Sequence, residues 1–359
     1  MHNKIEDGNN LREVIDIVDN LNFQKSEDLF ELSQIYEDLL RDMWNAGGNN
    51  GEFYTPRSLI KMMVECIEPK IGQTVYDPAT GSCGFLIEAY NFMFQQEKTD
   101  IELLFLQNES LYGNEKTPLA YVMWVMNMIL HGIRNPNIRK TDTLAMNIKN
   151  FQEKDRFDII LANPPFGWTI KSQVQINFPV KTNATEMLFL QHIMKSLKIG
   201  WKTAIVVPEG VLFNTGSAFG EIKKDILTHF NLHSIISLPA WVFLPYAGVK
   251  TNVIFFDREG STKDIWYYEI NLERKLTKNK PLLYSEIEHI PALLKKRQIT
   301  ENSWIVRVED IVEYDISAKN PHKKQETQLR SPDEILTELW ENERKIGEGL
   351  KKLGEILQR

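Results

Sequence analysis

Cysteine is nearly absent from this 359-residue chain. Cys66 and Cys83 are the two it has, too few for a disulfide framework. Its 7 histidines show no paired spacing of the kind that holds zinc, so no metal is expected. Long apolar runs are missing as well. The longest, Tyr121 to Leu130, is 10 residues, about half of what a bilayer-crossing helix needs. The N-terminal MHNKIEDGNN is polar and has no signal-peptide core. A cytoplasmic protein with reduced thiols and no membrane contact is expected. Nor is there an excess of positive charge, since 42 Lys and Arg stand against 49 Asp and Glu for a net charge of −7. A stand-alone binder of bare nucleic acid gains affinity by neutralising phosphates, so any work on DNA or RNA here would draw much of its grip from another chain.

What is present is ordinary globular composition, 42% hydrophobic and 25% charged, on a chain long enough to bury a full core. The first fifty residues or so read as two helices. Leu11, Val14, Ile15, Val18 and Leu21 give one apolar face, and Leu29, Leu32, Tyr36, Leu39 and Met43 give another. A third helix is predicted to start with Thr55 as cap and Pro56 at its first position, and to end near Pro69. From there short β-type runs alternate with helices. Strands are predicted at 74–76, 110–112, 138–140, 157–161, 203–207, 234–238 and 252–256, with helices near 84–96, 117–131, 185–198 and 217–229. Such alternation implies an α/β fold with a mostly parallel seven-stranded sheet, and ligands in such sheets bind beyond the carboxyl ends of the strands.

Residues 168–184 lack periodicity and read as a long loop, a functional lid or a disordered insert. The last segment is a separate helix in which Leu336, Leu339, Glu343, Ile346, Leu350, Leu353 and Leu357 follow heptad spacing with one charged intruder. Gly347, Gly349 and Gly354 each cost it about 1 kcal/mol against alanine, so it is expected to need a partner surface or its own domain to pack on. Three regions follow: N-terminal helices at 1–50, an α/β domain at 51–325 and a C-terminal helix at 326–359.

The residues that follow the strands carry the chemistry. Asn163-Pro164-Pro165-Phe166 comes directly after an apolar strand, and two prolines force the chain to turn there. The Asn163 amide oxygen and the Pro164 carbonyl could accept both hydrogens of an exocyclic amine and aim its lone pair at an electrophile, while Phe166 offers a face for a planar ring. Asp77-Pro78-Ala79-Thr80-Gly81-Ser82-Cys83-Gly84-Phe85 lies between the first strand and its helix. Its small residues let a ligand approach the backbone, and its glycine spacing is not that of the dinucleotide fingerprint. Glu115 follows the second strand, where an acid can accept ribose hydroxyls. Asp142 follows the third, where it can accept from an adenine amine. Each acid alone reads as a cap or a solvated residue; three loop signals in register after successive strands point to one site.

These residues resemble the N6-adenine DNA methyltransferases, and more narrowly the modification subunit of type I restriction–modification systems. The resemblance covers roughly residues 10–359. It rests on GEFYTP at 51–56, DPATGSCGFL at 77–86, YGNE at 112–115, DTL at 142–144 and NPPF at 163–166, with FLQHIMKSLKIG, AIVVPEGVLF and GVKTNVIFF downstream. It implies a Rossmann-like methyltransferase domain that uses S-adenosylmethionine. The cofactor's methionine part would meet Glu52, Phe53, Tyr54, Thr55 and Pro56 and the loop of Asp77, Gly81, Ser82, Cys83 and Gly84. Its ribose would meet Glu115 and its adenine Asp142. A target adenine, flipped out of DNA, would sit on Asn163, Pro164, Pro165 and Phe166 under the 168–184 lid. No covalent intermediate is needed, so Cys83 reads as a small loop residue.

The chain departs from the family pattern at Thr80, where Cys or Ala is frequent, and at Cys83, where Gly is usual. Its N-terminal helical region is also shorter than the family's. Residues 260–330 offer no reading head, since Lys295-Lys296-Arg297 and Lys323-Lys324 read as a solvated face. The family resemblance therefore implies a separate specificity subunit serving two modification subunits, sometimes with a restriction subunit. Two other readings are a truncated, non-catalytic partner-binding subunit and a methyltransferase for protein glutamine or RNA.

Overall fold

Nine strands form one sheet in the order β3-β2-β1-β4-β5-β7-β6-β8-β9. They are β1 (Val75–Asp77), β2 (Leu111–Glu115), β3 (Asn137–Lys140), β4 (Phe157–Ala162), β5 (Leu197–Pro208), β6 (Asn231–Ser237), β7 (Thr251–Asp257), β8 (Asp264–Glu269) and β9 (Ser303–Arg307). The computed structural model describes residues 7–19, 32–33, 35–37, 55–243, 248–277, 279–323 and 332–357. The seven predicted strands are all present, and β8 and β9 correct the count. Five of the eight neighbouring pairs are parallel; β7 runs antiparallel to both β5 and β6, and β9 to β8.

The central strands are buried on both sides, and their alternate side chains feed two separate cores. Val75, Ile159, Leu161, Ala204, Val206, Val253 and Phe255 face one core. It is closed by the helices α2 (Arg57–Ile67), α3 (Gly84–Phe94), α4 (Asp100–Asn108) and α5 (Pro118–Leu130). Tyr76, Ile160, Ala162, Ile205, Val207, Ile254 and Phe256 face the other. Helices α6 (Thr185–Ser196) and α7 (Ser217–His229) cover that side. The period of two along each strand is thus a division of labour between two helical layers.

The first predicted helix is α1 (Gly8–Asp19), while most of the second lies outside the described residues. Helix α2 differs from expectation at its start. Pro56 itself takes the cap position with φ −55° and ψ 135°, and no side chain caps the helix. Thr55 is used elsewhere. Helix α4 was not anticipated, although Thr99 and Glu102 form a reciprocal capping box at its N-terminus.

The 168–184 stretch is a packed element. Ile170 N–H donates to the Asn183 carbonyl (2.9 Å), Thr185 Oγ1 donates to the Trp168 carbonyl (2.7 Å), and the Gln191 amide brackets both backbone groups of Val180 at 2.9 Å. Phe178 is fully buried among Leu144, Ile148, Leu188 and Phe189. The disordered alternative does not hold for this segment.

Residues 320–359 form a second unit. It contains the 26-residue helix Pro332–Leu357, where Leu336, Leu339, Trp340, Ile346 and Leu350 are all more than half exposed. The helix forms despite its glycines. Among the described residues no helix is long and apolar enough to cross a membrane.

Because Phe178 pins the 168–184 segment through apolar burial, Phe178→Ala is expected to destabilise the fold by about 3–5 kcal/mol, read as a lowered urea midpoint with an unchanged slope.

Candidate functional site

The chain passes from β1 out to β2 and β3, then returns to lay β4 on the other side of β1. This reversal of strand order opens a crevice between the loops that leave β1 and β4. A cavity of 440 Å³ lies there. Its walls include Gly81 and Ser82 after β1, Glu115 at the end of β2, Asp142 after β3, and Asn163 and Pro165 after β4. The four predicted loops therefore meet at one place.

The loop after β1 is built for close approach. Gly81 and Cys83 both have positive φ, 45° and 58°. Cys83 N–H donates to the Thr80 carbonyl (2.7 Å), closing a tight turn that opens α3. A β-carbon on Gly84 would stand 2.6 Å from Ile60 Cδ1, and one on Gly113 would stand 2.1 Å from Thr80 Cγ2. Cys83 therefore occupies a left-handed position that favours glycine. Its side chain is fully buried in the core, where burial pushes the thiol well above its usual range. It is a packed loop residue.

Asp77 lies under this loop, 1% exposed. Ala79 N–H donates to its Oδ1 (3.0 Å), while Oδ2 is buried with no partner among the described residues. Burial, helped by the nearby Glu115, pushes its carboxyl up to about 7.

Glu115 Oε1 accepts from Thr117 N–H (2.8 Å), which holds the carboxylate at the cavity edge. Asp142 Oδ1 accepts from Leu144 N–H (3.1 Å), and its Oδ2 is paired with Lys116 Nζ (2.8 Å). Asp142 is thus a cap and a wall of the cavity at once.

Asn163 is held by its amide nitrogen, which donates to Thr55 Oγ1 at 2.9 Å. Its Oδ1 is buried without a partner among the described residues. An unpaired amide oxygen at the end of a central strand is an acceptor awaiting a donor. Pro164 is buried beside it. Phe166 is 6% exposed and is not among the cavity walls, whereas Trp168, 39% exposed, is. Thr55 does not border the large cavity, Asp77, Cys83 and Gly84 lie behind its wall, and Glu52, Phe53 and Tyr54 fall outside the described residues; Pro56 caps α2 as described.

Several residues that sequence reasoning did not single out tie these loops together. Asn114 Nδ2 donates to Tyr76 OH (2.8 Å) and to Thr143 Oγ1 (3.1 Å), and Thr143 Oγ1 donates to the Pro78 carbonyl (2.6 Å). Tyr76 OH lies 3.0 Å from His192 Nε2. Burial pushes His192 down to about 3, so the ring is neutral. The two share one hydrogen bond whose direction follows the histidine tautomer, and His192 Nδ1 is buried with no partner among the described residues. This chain of bonds joins the ends of β1, β2 and β3 to α6. Asn114 and Thr143 sit inside the YGNE and DTL motifs, so the signal was present; Tyr76 and His192 read simply as core.

The comparisons with known proteins agree on one family. The model for N-6 DNA Methylase matches residues 25–331. The EcoEI type I restriction enzyme methylase subunit of Escherichia coli is 35% identical over 99% of this chain and 75% of its own length. The EcoKI methylase subunit of the same species is 33% identical, with 68% of this chain and 49% of that protein aligned. This chain thus spans three quarters of the first relative and about half of the second. Among solved structures, a chain from a study of the assembly of a type I restriction–modification system superposes with a TM-score of 0.83 at 44% identity, covering 98% of this chain and 76% of that one. A type I modification subunit from Vibrio vulnificus YJ016 gives a TM-score of 0.84 at 38% identity, covering 90% and 71%.

The approach of Gly113 to Thr80 sets the spacing between β1 and β2 at the cavity. Gly113→Ala is expected to cost about 1–3 kcal/mol of stability through overpacking, measured as a drop in thermal midpoint; an unchanged midpoint would contradict the close approach.

Proposed function

We propose that this chain, which belongs to the N-6 DNA methylase family and within it to the type I modification subunits, transfers a methyl group from S-adenosylmethionine to N6 of adenine in DNA. The observation that carries the reading is the buried, unpartnered Oδ1 of Asn163 at the switch in strand order, with its amide nitrogen already anchored. Such an oxygen, with the Pro164 carbonyl, accepts both N–H groups of an adenine amine and leaves the nitrogen lone pair directed outward. Catalysis is then positioning and electrostatics, and the chain needs no nucleophile of its own.

The residues fit the cofactor. S-adenosylmethionine supplies a methyl group on a positively charged sulfonium. The 440 Å³ cavity falls within the range of small-molecule sites. Glu115 and Asp142 border it beside Lys116 and Lys171, with the Asp77 carboxyl buried just behind the wall, so acceptors for the ligand's hydroxyl and ammonium groups stand at its edge. Gly81 and Ser82 would take the methionine part together with the GEFYTP segment, Glu115 the ribose hydroxyls, and Asp142 the adenine. Trp168 and Lys171 of the packed 168–184 segment border the same cavity, in keeping with a lid over the target base. The intact acceptor and the open cavity favour a catalytic over a silent subunit.

A net charge of −7 leaves DNA grip and sequence choice to a specificity subunit. The exposed apolar stripe of the C-terminal helix is the surface offered to it, with two modification subunits on one specificity subunit and a restriction subunit joining some assemblies.

Replacing Asn163 by Ala removes the acceptor while sparing the acids of the cavity. Methyl transfer is expected to fall by about two orders of magnitude or more, with S-adenosylhomocysteine affinity changed less than about threefold by calorimetry. Retained transfer contradicts the role. Asp77 supplies a pH dependence. Its carboxyl, raised to about 7, is mostly protonated at pH 6 and ionised at pH 8. Only the ionised form favours an ammonium group over the loop, so S-adenosylhomocysteine affinity is expected to rise by up to about tenfold across that interval. The Asp77→Asn variant is expected to lose this rise, and an equal rise in both proteins would remove Asp77 as its cause.

A further inference from the structure

Thr55 stands where a threonine would ordinarily cap the helix that follows, yet no side chain caps α2. Its hydroxyl oxygen instead accepts the Asn163 amide N–H at 2.9 Å, across more than a hundred residues of chain. Thr55 is 9% exposed and does not border the 440 Å³ cavity. It borders a smaller void of 20 Å³, shared with Asn163, Gly81, Ser82 and Gly84.

The two ends of a carboxamide have nearly the same size, so packing alone does not tell them apart. Rotation by half a turn about the Cβ–Cγ bond exchanges acceptor for donors, and a hydroxyl can pair with either end, so the Thr55 bond anchors the side chain while the incoming amine selects the oxygen. In the orientation seen here one buried acceptor, Oδ1, lacks a partner, and that is the atom an incoming amine would satisfy. In the reverse orientation the two N–H donors would be left in its place, and they would meet the N–H groups of the amine donor to donor.

We propose that Thr55 is a positioning residue: its hydroxyl anchors one end of the Asn163 amide, so that the other end is held still where the substrate amine meets it. This rests on the function proposed above, and it gives Thr55 a duty distinct from holding the methionine part of the cofactor.

The test uses Thr55→Val, which keeps the shape and deletes the hydroxyl, and Thr55→Ser, which keeps the hydroxyl. Single-turnover methylation of plasmid DNA is measured with the specificity subunit present, and S-adenosylhomocysteine affinity is measured by calorimetry. Thr55→Val is expected to slow transfer by about tenfold or more while the dissociation constant stays within about twofold, and Thr55→Ser is expected to restore the rate to within about threefold of the parent. A Thr55→Val rate equal to the parent overturns the proposal. So does a loss of S-adenosylhomocysteine affinity in proportion to the loss of rate, which would make Thr55 a cofactor contact.

A double-mutant cycle with Asn163→Ala, read as thermal midpoints of the chain alone, judges the pairing without any activity. The Thr55→Val shift is expected to vanish in the Asn163→Ala background, and additive shifts overturn the proposal. If the parent protein with its specificity subunit transfers no methyl group, the functional reading fails, and the cycle still decides the pairing.

Discussion

The pairing of β1 with β4, Val75 against Ile159 and Tyr76 against Ile160, sets side by side two strands that are distant in the chain. All the chemistry discussed above hangs from their ends. Asp77 closes one strand and Asn163 follows the other, so the glycine loop after β1 and the Asn163 amide become neighbours through backbone register alone. The outward run through β2 and β3 then brings Glu115 and Asp142 to the same edge. A shift of one residue in the β1–β4 register would turn the Val75 and Tyr76 faces over, emptying both cores and moving Asp77 away from its loop.

Polar groups buried at that edge are fixed by one another. Pro78, Thr143, Asn114, Tyr76 and His192 form a bonded series that holds the three loops without any charged group. His192 Nδ1 within this series has no partner among the described residues, and at the loop ends two further atoms have none, Asp77 Oδ2 and Asn163 Oδ1. Both are acceptors, and both stand in positions where the proposed ligands bring positive charge or N–H groups. A stable fold keeps unsatisfied buried acceptors at a cost of about 1–3 kcal/mol each, and here the cost falls where function would recover it.

Much of this was legible in the sequence because the site is made of loops that follow strongly apolar strands. Phe157–Leu161 announces a buried strand, and two prolines after it announce its end. The seven strands found from the sequence include the four, β1 to β4, that carry those loops. β8 and β9 escaped because Ile265-Trp266-Tyr267-Tyr268 and Ser303-Trp304-Ile305 are short aromatic runs with no helix between β6 and β8 to mark the rhythm. Helix α4 carried a readable signal, Thr99 three residues before Glu102, that its weak periodicity hid. Thr55 was misread for a physical reason: a threonine before Pro and a helix is locally a cap, and its partner Asn163 is close only in three dimensions. Phe166 was read as a stacking face from its motif, and its burial reflects packing that no local pattern encodes. Cys83 stands where glycine is usual in the family, and its left-handed geometry gives the reason; here the side chain is tucked into the core.

The central claim is that this chain is a catalytic subunit whose DNA reading is supplied by another protein. The most direct measurement is nucleoside mass spectrometry of unmethylated DNA incubated with S-adenosylmethionine and this chain, with and without its specificity subunit. N6-methyladenine that forms only when the specificity subunit is present is the predicted result. Methyladenine formed by the chain alone would contradict the division of labour, and none in either reaction, with S-adenosylmethionine still bound, would contradict catalysis itself.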